Sequence, residues 1–168
     1  ITGDIASTAF CGNDEFITRW DLSKTGSGAT QIQFNATIAT GGGTYTWKEI
    51  SPGTATGNGT LSAGTSLRTI TGLPSGSIIQ LSILPTNLQR FYINNGTDRQ
   101  RLLDVENWGH ANWTSMATAF LGCNNLNFSA IDIPNLTLTT SLNQMLKNCT
   151  LFNSNINAWN VSTITDMN

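Results

Sequence analysis

One histidine, three cysteines, a close pair of carboxylates and five tryptophans are the residues of this 168-residue chain whose types could do chemistry. His110 would need a nucleophile or further ligands beside it to form a triad or a zinc site. Its counterparts in the internal repeat described below are Asn135 or Leu136 and Asn160 or Val161, so it reads as structural or solvent-facing. Cys123 and Cys149 lie 26 residues apart without a local C-x-x-C partner. Zinc takes four ligands, so a ladder of free thiols is favoured, a disulfide between turns is the alternative, and a metal ranks last. Cys11 is unassigned. Asp104 and Glu106 sit two apart on an expected strand, hence on one face, whereas glycosidase acids flank a substrate from opposite sides. They read as an ion-paired strand end with Arg99 and Arg101 as partners. Trp20 and Trp47 fall in strand patterns that need core bulk, and Trp108 and Trp159 share a repeat register. Trp113 replaces Thr139 and Ile164 at its register position and is the one weak candidate for stacking on a sugar ring. With no nucleophile–base set, no catalytic residue, cofactor or metal is expected.

The elements that position these residues follow from composition and periodicity. Charged residues make up 11% of the chain, and Thr (25), Asn (19), Gly (16) and Ser (14) fill the gap. Eight basic residues against ten acidic ones leave a net charge of −2, which excludes the basic stripe a nucleic-acid binder requires. No apolar run approaches the length of a membrane span. Few charges with abundant Thr, Asn and Gly indicate a β-rich extracellular protein. Fourteen of the sixteen glycines precede Leu102, and thirteen of the nineteen asparagines follow Arg101. Two architectures are therefore expected to meet there.

Up to residue 101 the pattern is that of strands and turns. Gln31–Thr40 alternates apolar and polar, the signature of a half-buried strand. Further strands are expected at Phe16–Leu22, Thr44–Ile50, Leu67–Thr71, Ser77–Leu84 and Arg90–Ile93, punctuated by Gly41-Gly42-Gly43 and Pro52-Gly53. This spacing predicts a small immunoglobulin-like sandwich over 1–101, with a lead-in at 1–11.

From 102 to 168 the chain repeats every 25–26 residues. Trp108, Pro134 and Trp159 share one position; Met116, Leu142 and Met167 another; Phe120 recurs as Leu146 and Cys123 as Cys149. A single coil of this length cannot bury its own apolar side, so coils are expected to stack into a leucine-rich-repeat-like solenoid. The mainly β reading is thus a sandwich followed by a short solenoid.

Residues 88–168 resemble the BspA-like leucine-rich-repeat bacterial surface proteins. The resemblance is carried by Phe91-Tyr-Ile-Asn-Asn-Gly-Thr-Asp, Leu103-Asp-Val-Glu-Asn-Trp-Gly, Trp113-Thr-Ser-Met and Ala119-Phe-Leu-Gly-Cys-Asn-Asn-Leu. It continues through Asp132-Ile-Pro-Asn-Leu and Phe152-Asn-Ser-Asn-Ile-Asn-Ala-Trp-Asn-Val-Ser-Thr-Ile-Thr-Asp-Met. Phe16-Ile-Thr-Arg-Trp is similar to the start of the sandwich that often precedes such repeats. Pro134 departs from the pattern by standing where the family has Trp. The resemblance implies export, attachment to the cell surface and non-enzymatic adhesion or binding of a glycan or protein outside the cell. The alternatives are a structural link of a surface filament and a carbohydrate-binding module of a larger secreted protein. Because the chain stops at Asn168 just after a repeat's Asp-Met, an amino-terminal piece of a longer protein is expected, with an open end through which copies could associate.

Overall fold

The computed structural model describes residues 14–168; the lead-in and Cys11 lie outside them. It is mainly β with two sheets. Its strands are β1 (Phe16–Asp21), β2 (Gln31–Ile38), β3 (Gly43–Ser51), β4 (Thr56–Leu61), β5 (Gly64–Thr71), β6 (Ile78–Ile83), β7 (Leu88–Tyr92), β8 (Leu102–Asn107) and β9 (Asn127–Phe128). One 3-10 turn, Pro85–Asn87, precedes β7. No helix among the described residues is long and apolar enough to cross a membrane.

One sheet has the order β4-β3-β6-β1-β8-β9 and the other β5-β2-β7. The alternation of β2 does what the period-2 pattern requires. Ile32, Phe34, Ala36 and Ile38 are buried, while the residues between them reach the surface. On the larger sheet the inward row includes Phe16, Trp20, Ile79, Leu81 and Ile83, all fully buried. Phe34 and Phe91 of the smaller sheet meet Trp20 and Phe16 of the larger, with Phe34–Phe91 at 5.0 Å and Phe16–Phe91 at 5.1 Å between ring centroids. The two sheets therefore close face to face over an aromatic core.

β4 was not anticipated, and the reason is physical. Its sequence, Thr56-Gly-Asn-Gly-Thr-Leu, puts two glycines on its inner face before Leu61, and glycine weakens a strand. Trp47 and Tyr45 lie across from Gly57 and Gly59 in the β3–β4 ladder. A Cβ at Gly57 would come within 2.6 Å of the Trp47 ring. The aromatic rings of one strand take the space its partner leaves empty.

β8 pairs antiparallel with β1 and, on its other edge, parallel with β9. This join continues the sheet into the second half, where successive turns lie over one another by backbone hydrogen bonds. The amides of Met116, Thr118, Phe120 and Gly122 donate to the carbonyls of Ser141, Asn143, Met145 and Lys147, each 25 residues on. Leu142 and Gln144 donate in turn to Asp166 and Asn168. Formal strand structure is slight here, amounting to β9 and the isolated bridge Ser141–Asp166. A shared device sets each turn. Ser115, Ser141 and Asp166 accept from the amides two residues on, those of Ala117, Asn143 and Asn168, the local bond that favours Ser and Asp in turns.

Candidate functional site

The 25-residue stacking decides where the repeat positions go. Trp108, Met116, Phe120 and Cys123 are fully buried in the core, and Pro134 is buried as well. Leu142, Leu146, Cys149 and Trp159 pack against that core while part-exposed, and Met167 is 65% exposed. Trp108 touches the rings of Phe128 at 5.0 Å and Trp159 at 5.2 Å, both edge-on.

Trp113 is corrected by this arrangement. It has no accessible surface, and its ring meets Phe16 at 4.9 Å and Trp108 at 6.2 Å. A wholly enclosed indole has no face to offer a sugar. The lack of a repeat constraint at this position reflects its contact with β1, which local spacing cannot reveal.

The carboxylate pair is also redistributed. Asp104 and Glu106 do share a face, but their partner is Arg19 of β1, at 2.6 and 2.9 Å, rather than Arg99 or Arg101. The register sets Arg19 opposite Asp104. Asp104 also accepts from the Ser129 amide and hydroxyl 25 residues on, so its oxygens are committed to structure. Arg101 turns instead toward buried Asp98, 3.9 Å away.

Cys123 and Cys149 are free thiols, and the Cys149 thiol donates to the Phe120 carbonyl at 3.1 Å. Burial pushes the Cys149 thiol from its ordinary 9.0 up to about 11 and raises Cys123 well above the usual range, with Cys149 nearby adding to the effect. Neutral thiols are poor nucleophiles and poor metal ligands. Among the described residues no cluster of three His, Cys, Asp or Glu side chains could hold a metal ion. The sign of the pH effect follows from linkage. The unfolded thiol loses its proton first, so the stability this burial implies is whole below about pH 9 and is lost as pH rises toward 11. Peptide-mapped alkylation of Cys149 in the native chain should be negligible at pH 8. The urea midpoint should fall between pH 9 and 11, and fast labelling at pH 8 would contradict the burial.

Two concavities lie on the stacked turns. The first is an apolar groove of about 600 Å³, lined by Leu142, Met145, Leu146, Ile156, Trp159, Val161 and Met167 beside Lys147. The second is a cleft of about 540 Å³ lined by His110, Asn112, Ile133, Pro134, Asn135 and Asn160 with their neighbours. Asp132 builds the cleft, its carboxylate accepting from the amides of Trp108 at 3.0 Å and Gly109 at 2.8 Å and so fastening one turn on the next. Gly109 has φ +62, and a Cβ there would come within 2.1 Å of the Asp14 carbonyl. That close approach lets His110, 80% exposed, set Nδ1 2.9 Å from Asp14 Oδ1. Spacing alone did not single out the column Asn112–Asn135–Asn160, although each residue opens an Asn-x-Ser/Thr triplet and the intervals are 23 and 25.

Large apolar side chains in water gather on the same half. Of the nine exposed among the described residues, six follow residue 130: Ile131, Ile133, Leu138, Leu151, Val161 and Met167. Ile131 is fully exposed. Nothing among curated proteins matches the chain. Nothing among solved structures matches it either. Residues 86–168, which take in β7, β8 and the stacked turns, match the family described as Mycoplasma protein of unknown function, DUF285.

Proposed function

We propose that this chain is a non-enzymatic binding or adhesion module of a bacterial cell surface. In this reading the two packed sheets form an immunoglobulin-like sandwich. The stacked turns after it are a short leucine-rich-repeat-like solenoid of the BspA-like kind, displayed outside the cell. The observation that carries the reading is the concentration of exposed apolar side chains on the stacked turns, together with the apolar groove beside them. Exposed apolar side chains gathered on one part of a molecule mark sites where other molecules bind. The 25-residue hydrogen-bonded stacking and the match over residues 86–168 to a family of unknown function are compatible with it.

The test is an array of immobilised matrix proteins and glycans probed with the labelled full chain, in parallel with Ile131→Lys and Val161→Lys. The parent should bind at least one macromolecule, and charge at these exposed apolar positions should weaken binding about tenfold or more. An array with no bound spot at any concentration up to tens of micromolar would defeat the reading. Binding to the chain itself and to nothing else would favour a structural link of a surface filament.

A further inference from the structure

The cleft beside His110 is chemically unlike the apolar groove, and its lining names a ligand class. We propose that it is a binding site for a neutral oligosaccharide, which deepens the binding-module reading and rests on it.

No Lys, Arg, Asp or Glu lines the cleft. The nearest carboxylates are already engaged, Asp132 by two backbone amides and Asp14 by the His110 ring. Without a cation the cleft cannot compensate a phosphate or sulfate, and without a free carboxylate it cannot hold an amine. What remains are neutral donors and acceptors in a fixed arrangement. Asn135 is locked by its own turn, its Oδ1 accepting from the Thr137 amide at 3.2 Å and hydroxyl at 2.7 Å. Its Nδ2 donates to Asn112 Oδ1 at 3.2 Å, which links two successive turns. Asn160 Oδ1 accepts from the Ser162 amide at 3.1 Å, the same turn geometry one turn further on.

Both ends of the Asn135 amide are engaged, whereas Asn112 and Asn160 use only Oδ1. The Nδ2 groups of Asn112 and Asn160 carry no hydrogen bond among the described residues. His110 Nδ1 lies 2.9 Å from Asp14 Oδ1, and in a neutral ring protonated on that side Nε2 is an acceptor. Amide donors beside an imidazole acceptor suit hydroxyl groups, which both donate and accept. Ile133, 49% exposed, supplies the apolar surface against which the C–H face of a sugar ring can lie. The cleft volume of about 540 Å³ falls within the range of small-ligand sites. Repetition from turn to turn, at about the 4.8 Å spacing of hydrogen-bonded chains, presents like groups in series. A linear oligosaccharide presents like hydroxyls in series too.

The experiment titrates the full chain with linear neutral oligosaccharides of hexose and of N-acetylhexosamine, alongside their sulfated and uronic counterparts. Saturable binding of a neutral oligomer is expected, with the charged counterparts weaker. Asn112→Ala, His110→Ala and Ile133→Ala should each weaken it roughly tenfold, the loss of one good contact, while the melting temperature stays that of the parent. Leu67→Lys, exposed on β5 and outside the lining, should leave neutral-oligosaccharide binding unchanged. Equal affinity of parent and the three cleft variants would overturn the assignment. So would tighter binding of the sulfated forms. An array in which proteins bind but no neutral oligosaccharide binds up to 10 mM, a concentration that corresponds to only about 3 kcal/mol, would remove the inference and leave the binding-module reading standing. An array with no bound spot would remove both.

Discussion

Replacing Trp108 by alanine is expected to lower the stability of the whole chain by about 3–5 kcal/mol, the range for deleting a large buried aromatic ring. The side chain is 1% exposed and sits where the two halves of the molecule meet. Its ring lies 6.0 Å from Phe16 of β1, 6.2 Å from Trp113, 6.1 Å from Phe120, 5.0 Å from Phe128 and 5.2 Å from Trp159. Most of these pairs are edge-to-face, an arrangement that adds about 0.5–1.5 kcal/mol per pair beyond the buried area. No neighbour can fill the void without leaving its own pair. Because one ring joins β1 to its own repeat and to Trp159 two repeats on, the loss should appear in a single cooperative transition. Urea unfolding followed by tryptophan fluorescence and by circular dichroism checks this. A midpoint within 1 kcal/mol of the parent, or separate transitions by the two probes in the parent, would show that Trp108 does not couple the halves.

Removing the Asp98 carboxylate should be of similar size, about 3–5 kcal/mol, for an electrostatic reason. Asp98 has no accessible surface. Its oxygens accept from the Gln33 amide at 2.6 Å and from the Ser27 amide and hydroxyl, and Arg101 stands 3.9 Å away. Arg101, 4% exposed, donates to the carbonyls of Lys24, Gly28 and Gln31. The pair thus holds the loop between β1 and β2 against the segment that leads into β8. In Asp98→Ala two backbone amides lose their acceptor inside the protein and a buried cation loses its counter-charge. Asp98→Asn keeps one acceptor oxygen and should fall between parent and alanine. Denaturant titration of the three chains, with Arg101→Ala completing a double-mutant cycle, measures the coupling. A loss below 1 kcal/mol for Asp98→Ala would mean that the loop is held by other contacts.

Neither Trp108 as a hub nor Asp98 as a clamp could be read from spacing, and the same limit explains the partner given to Asp104. Local sequence names what is near in the chain: Arg99 and Arg101 lie within five residues of Asp104. The actual partner, Arg19, is 85 residues away and arrives through the β1–β8 pairing. β4 went unseen because its evidence lies on β3, where Tyr45 and Trp47 fill the space above its glycines. The cleft likewise needs three turns, each contributing one asparagine, before any concavity exists.

Taken alone, the sequence determined the β-rich character, the alternating faces of β2 and most strand positions, and the 25-residue recurrence that returns as hydrogen bonds between successive turns. These are consequences of period, and period is a property of neighbours along the chain. Tertiary structure alone decided which ring is buried, which cation meets which carboxylate and where a cleft opens, burying Trp113 against Phe16 and leaving Ile131 in water. Burial and charge pairing depend on segments tens of residues apart in the chain, which meet only when the sheets close and the turns stack.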